Sequence, residues 1–143
     1  MEQDTIKLLE EIDLGCEMAE DSFRQIRNFE MPQKLEQLLE KYQEKHEQIQ
    51  KKASQMLEEH GKPDKNPGPA AEAMSWLTTQ IKMMRRNDQT QIAKLMMDGC
   101  NMGIQTIGEK MRTFPQASRE AAALAEKLMN TEEDFMSEVR AFL

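Results

Sequence analysis

An all-α fold is what this chain predicts: four long helices packed as a bundle, built from two similar helical hairpins, with an extra helix in the crossover between them. Three observations predict it. Good helix formers dominate the 143 residues, while Val appears once and aromatics are few, so strands have little to build from. Apolar residues recur at helical spacing through four long stretches, the mark of amphipathic helices. Finally, Gly15-Cys16-Glu17-Met18 returns as Gly99-Cys100-Asn101-Met102. Around that pair Leu8 matches Ile92, Ile12 matches Met96, Ala19 matches Gly103, Ser22 matches Thr106 and Phe23 matches Ile107. The pattern reads as an internal duplication within a single domain over 1–143.

The first hairpin is expected over 4–60. Asp4 is a plausible N-cap for a first helix over 4–29, since a short polar side chain there can satisfy an open N–H. Its centre line runs through Leu8, Ile12, Gly15, Ala19, Phe23 and Ile26, with Asp13, Glu17 and Glu20 turned away from it. Pro32 suits a first turn and cannot readily continue the preceding helix. The second helix, over 32–60, carries one clean stripe: Leu35, Leu38, Leu39, Tyr42, His46, Ile49, Ala53, Met56 and Leu57. Gly61 stands where a left-handed C-cap belongs, and Pro63 forbids continuation.

The crossover is expected over 61–87. Lys62 to Pro69 is the breaker cluster of the chain, and a shorter third helix over 70–86 follows, with Ala73, Trp76, Leu77, Gln80, Met83 and Met84 inward. The second hairpin is expected over 88–143. Asp88-x-x-Gln91 reads as a capping box. The fourth helix, over 88–112, turns Ile92, Leu95, Met96, Gly99, Gly103, Thr106 and Ile107 inward. Thr113-x-x-Gln116, with Pro115 between, is expected to open the fifth helix, whose stripe is Ala121, Leu124, Leu128, Thr131, Phe135, Val139 and Phe142. Four helices of this size are each about 35–40 Å long at 1.5 Å per residue.

Composition narrows the function classes. The net charge of −7 disfavours nucleic acid, whose phosphates need a basic face. No stretch approaches the ~20 apolar residues of a membrane helix, and no signal-like segment opens the chain, so a cytoplasmic location is expected. Two cysteines in such a chain are expected to be reduced. Thirteen methionines suit an adaptable core better than a copper site. P-loop, Rossmann, HExxH and nucleophile-elbow patterns are all missing.

Gly15 and Ala19 lie one turn apart on the first helix, and Gly99 and Gly103 one turn apart on the fourth. Glycine inside a helix costs about 1 kcal/mol against alanine. Two compensations are open: close approach of these two helices, or room for a neighbouring Trp, Phe or Met.

Paired hairpins, the Gly61-Lys62-Pro63 break, a following helix with Trp76 and Lys82, and the Gly-centred helix at 99 give the chain its likeness. It resembles the ferritin-like superfamily, nearest an uncharacterised bacterial family related to rubrerythrins. The resemblance implies a ferritin-like four-helix bundle and, in active members, two iron or manganese ions held by one Glu from each of two helices and Glu-x-x-His from the others. Matched residue by residue, that ligand set is degenerate. His46 is on the inner stripe, but three residues before it stands Gln43. Glu132 and Glu133 are followed three residues later by Phe135 and Met136. Periodicity turns Glu17 outward. His46, Glu17, Glu132 and Glu133 are therefore the residual candidate metal ligands, and no cofactor is expected. The plain reading of His46 is a buried, hydrogen-bonded histidine with Thr131 as polar neighbour.

The favoured function is a non-catalytic, ferritin-like bundle acting through self-association, as a homodimer, or through a protein partner, in stress physiology. Leu14, Met18 and Met97 are the apolar residues off the stripes that would serve it. The alternatives are a divergent iron-handling or oxidase enzyme using iron or manganese, and a spore- or coat-associated structural protein.

Overall fold

Apolar spacings of three and four residues wind into helices that bury one face each. The computed structural model describes residues 2–62, 78–82 and 89–143. α1 spans Glu2–Ile26, α2 Gln33–Glu59, α3 Gln89–Thr113 and α4 Arg119–Val139, and a 3-10 turn, Arg140–Phe142, follows. Residues 78–82 are also helical, and no strand occurs among the described residues. These four long helices answer to the first, second, fourth and fifth of the sequence. The cluster from Pro63 to Pro69, most of the third expected helix with Trp76, and Asp88 lie outside the described residues.

The α2 stripe is buried residue for residue as its periodicity predicts, from Leu35 to Leu57. Its end is also legible. Gly61 has φ +75°, its N–H donates to Glu58 O at 2.9 Å, and Lys62 N donates to Leu57 O at 3.0 Å. This paired closure ties off the last carbonyls, and glycine takes the left-handed position without a side-chain clash.

The first helix ends at Ile26 and not at 29, and two expected helix starts move. Asp4 lies inside α1 rather than capping it, and its carboxylate accepts from Gln116 N at 2.9 Å. Thr113 does not open the last helix. Its hydroxyl donates back to Glu109 O at 3.0 Å and stays with α3. Ser118 is the N-cap of α4, accepting from Ala121 N at 3.2 Å, while its own N–H donates to Thr5 Oγ1 at 2.8 Å. The start of α1 thus clamps the turn between α3 and α4, and tertiary contacts override the local capping signal.

Cross-helix pairs set the register. Asp13–Gln50 and Arg27–Gln43 make α1 and α2 antiparallel. Tyr42–Glu138 and His46–Glu132 do the same for α2 and α4. Lys110–Glu11 and Ile107–Gly15 do so for α3 and α1. Neighbouring helices are antiparallel, and α2 and α3 run parallel across the diagonal. The end of α2 and the start of α3 therefore lie at opposite ends of the bundle, the geometry that a long crossover requires.

The core forms two apolar clusters, one toward each end. Phe23, Leu39, Tyr42, Ile92, Phe135 and Val139 belong to one; Leu9, Ile12, Ile49, Ala53, Ala125 and Leu128 belong to the other. Four of the residue pairs matched in the sequence are buried at both positions: Leu8 with Ile92, Ile12 with Met96, Cys16 with Cys100, Phe23 with Ile107.

The burial of α1 departs from the expected line. Asp13 and Glu20, expected outward, are buried at 3% and 8% exposure, and Gly15 and Ala19 sit on the shoulder. The helix is turned so that Cys16 centres its core face. Asp13 is accommodated because α2 meets it with a polar group, Gln50 donating to it at 2.8 Å.

Candidate functional site

Between the two apolar clusters the bundle has a polar waist. His46 reaches it because residues 35, 39, 42, 46, 49 and 53 form a four-three-four seam on α2. Glu132 reaches it by the same logic, on the seam 121, 125, 128, 132, 135 and 139 of α4. Both are buried, at 1% and 6% exposure. His46 Nε2 is hydrogen-bonded to Glu132 Oε1. Nδ1 lies 2.6 Å from the Tyr42 carbonyl oxygen, which can only accept, so Nδ1 carries a proton. Phe23 packs on the imidazole at a 5.5 Å centroid distance and on Phe135 at 5.4 Å, and Phe135 stacks on Tyr42 at 4.7 Å. These rings hold the imidazole plane.

Burial disfavours the imidazolium, but the hydrogen bond and charge of Glu132, the Tyr42 carbonyl and the Glu20 carboxylate together outweigh it, and the His46 pKa stands above its ordinary value. Both ring nitrogens are thus engaged, Nε2 by Glu132 and Nδ1 by the backbone carbonyl, an arrangement that favours the imidazolium.

Glu20 is the second acid of the waist. Burial, then the Glu47 charge, pushes its pKa up to about 7 against the opposing pull of Arg24 and His46. Its Oε2 has no hydrogen-bond partner among the described residues. The thiols flank the same region and both are free. Burial, then the charges of Glu20, Glu132 and Asp13, raises the Cys16 pKa. Burial, then the charge of Glu132 and a hydrogen bond to it, raises that of Cys100. Neither thiol is set up as a nucleophile.

A cavity of about 170 Å³ opens between α1 and α3 and reaches down to His46 and Glu132. Gly15, Ala19, Gly99 and Gly103 all line it. The glycines do not bring the two backbones together. A Cβ built at Gly99 meets nothing within 4 Å among the described residues, and one at Gly15 meets only the side chains of Leu128 and Ile107, at 3.7 and 3.9 Å. At Gly103 the nearest atom is Glu132 Oε2, at 3.3 Å. The small residues hold a space open instead of closing an interface.

Of the residues singled out for metal, the structure brings His46 and Glu132 together and not the others. Glu17 is half-buried and Glu133 exposed. Thr131 is buried but donates to Lys127 O at 2.8 Å, so Glu132, not Thr131, is the polar neighbour of His46. Among the described residues no group of three or more His, Cys, Asp or Glu side chains is arranged to hold a metal ion. Leu14 and Met18 line the cavity, and Met97 packs against the core cluster around Phe135. No helix among the described residues is long and apolar enough to cross a membrane.

No family model, curated protein or solved structure matches this chain. Any function must therefore be argued from the geometry.

Proposed function

We propose that this chain is a non-catalytic helical bundle that binds a compact apolar ligand between α1 and α3. One observation carries the reading. All four small residues of the repeat border one cavity, and a Cβ at Gly99 would meet nothing within 4 Å among the described residues. A mid-helix glycine costs about 1 kcal/mol against alanine. No close helix approach repays that cost here, so the space itself is the return. Engineered apolar cavities of about 150 Å³ take up benzene, and this cavity has similar room. Leu14, Met18, Met96, Ile107 and Leu128 give it apolar walls, as ligand pockets generally have.

The test is an amide NMR titration with benzene and indole. Saturable shifts at Gly15, Gly99 and Gly103, lost in Gly99→Leu, are expected. Absence of saturable shifts in the unmodified protein, or their survival in Gly99→Leu, overturns the reading.

The parallel α2 and α3, with their facing ends at opposite poles, support a ferritin-like connection through 61–87. An iron- or manganese-dependent activity has less support. His46 Nε2 is already engaged by Glu132, and Gly103 supplies no carboxylate opposite it. The residues present do not fit the two-metal ligand set that such activity needs.

A further inference from the structure

The walls of the α1/α3 cavity are apolar, but its ionisable lining is one-sided. Glu132 borders it at the floor, and Glu11 and Asp21 border it further out. No Lys or Arg is among the described residues that line it. Lys110 and Arg24 pair with Glu11 and Asp21 at 3.8 and 3.6 Å, yet neither cation borders the cavity. His46 is the single basic group there among the described residues, and its Nε2 and Nδ1 are both engaged, by Glu132 and by the Tyr42 carbonyl. It therefore has no N–H left to offer an incoming anion.

Glu132 is different. Its Oε1 is bonded to His46, and Cys100 supplies a further hydrogen bond, but a thiol is a weak donor. A carboxylate has about four lone-pair sites, so acceptor capacity remains. The backbone opposite is glycine. The Cβ position of Gly103 lies 3.3 Å from Glu132 Oε2, so any side chain there would crowd that oxygen, and glycine leaves it approachable.

We propose that the ligand of this cavity is a compact apolar amine, whose ammonium group donates to Glu132 while its hydrocarbon body fills the space between α1 and α3. This rests on the cavity being a ligand site at all, and it adds the chemical class of the occupant. A charge-assisted N–H···O⁻ bond in a water-poor site is roughly twice as strong as a neutral one. Among the described residues, an anionic ligand would meet three carboxylates and no free cationic donor. A ring-sized body matches the volume, which makes benzylamine a fitting probe, with toluene, benzyl alcohol and benzoate as near-isosteres of other polarity.

The experiment measures the affinities of these four probes by NMR titration at neutral pH, for the unmodified chain, Glu132→Gln and Gly103→Ala. Benzylamine is expected to bind about tenfold tighter than toluene, with benzoate weakest. Glu132→Gln should abolish that preference while toluene affinity stays within about twofold. Gly103→Ala, which keeps the Glu132–His46 pair, should weaken benzylamine more than toluene and decides the matter if Glu132→Gln does not fold. Toluene binding as tightly as benzylamine overturns the amine class and leaves the cavity reading standing. An amine preference that survives both substitutions also overturns it, by removing Glu132 as the docking group. Failure of all four probes to bind overturns the cavity reading and the inference with it.

Discussion

His46 on α2 and Glu132 on α4 are joined by a hydrogen bond across the core, with both side chains almost fully removed from solvent. The bond spans the bundle at the waist between its two apolar clusters and fixes the register of α2 against α4. Its worth lies less in net stability than in the penalty for breaking it. Taking two charges out of water consumes most of their mutual attraction, but a lone survivor has nothing to offset its desolvation.

Single substitutions and the double substitution should therefore behave non-additively. His46→Leu, which leaves Glu132 buried without its cation, is expected to cost about 3–5 kcal/mol. Glu132→Leu should cost a comparable amount or release the proton from His46. The double variant, with an apolar pair of similar volume, should recover most of the loss. Urea unfolding of the four proteins checks this, and simple additivity would show that the pair is not coupled.

The waist also sets the pH dependence. Glu20 is raised from 4.5 to about 7 in the folded state, and His46 stands above 6.5. Both groups hold protons in the folded chain that the unfolded chain has released, so stability falls as pH rises. The Glu20 contribution is full below 4.5 and is lost as pH climbs to about 7. The His46 contribution is full below 6.5 and is lost as pH passes its higher folded value. Glu20→Gln should match the unmodified protein at pH 4 and exceed it at pH 8, by urea midpoints. A difference of the opposite sign, or none, would mean that Glu20 ionises freely in the folded chain.

Much of this was readable from sequence, and the gaps have physical causes. The α2 stripe and the Gly61 cap are local properties, a periodicity and a left-handed residue, and they emerge intact. The facing of α1 does not. Periodicity turns Asp13 and Glu20 outward on the assumption that acids seek water, whereas Gln50 of α2 gives Asp13 a partner inside. The candidate site was half legible. His46 lay on an apolar seam and stood out. Glu132 lay on an equally regular seam, between Leu128 and Phe135, but reading that helix through Leu124 and Thr131 put it on the flank. A strict four-three-four count would have placed it opposite His46. The glycines were legible as a cost, but whether that cost secures contact or vacancy depends on the distance between α1 and α3, which no sequence pattern carries.

That distance makes the glycines separable by experiment. Gly99→Ala adds a methyl group that meets nothing within 4 Å among the described residues, and Gly15→Ala adds one at ordinary contact distance from Leu128. Each should stabilise the protein by about 0.5–1 kcal/mol through helix propensity. Gly103→Ala presses its methyl group to 3.3 Å from Glu132 Oε2 and should gain nothing or lose stability. Guanidinium unfolding of the three variants checks the order. A loss at Gly99 equal to that at Gly103 would contradict an open space beside it.

Thiol labelling probes the cavity from the inside. Both cysteines are buried, and both thiols are held protonated by burial and neighbouring carboxylates. The protonated thiol is the unreactive form, so labelling of the native protein should be slow, and fast once denatured. The two should still differ. Cys100 borders the cavity, whereas Cys16 does not. A small uncharged reagent such as methyl methanethiosulfonate can enter beside Gly99 and should modify Cys100 first. A bulky dianionic disulfide should lose that advantage, because Glu11, Asp21 and Glu132 oppose its entry. Peptide mapping by mass spectrometry gives the two rates separately. Gly99→Leu should bring the Cys100 rate down toward that of Cys16 without changing the Cys16 rate. Equal rates in the unmodified protein would mean that labelling proceeds through global opening and not through the space between α1 and α3.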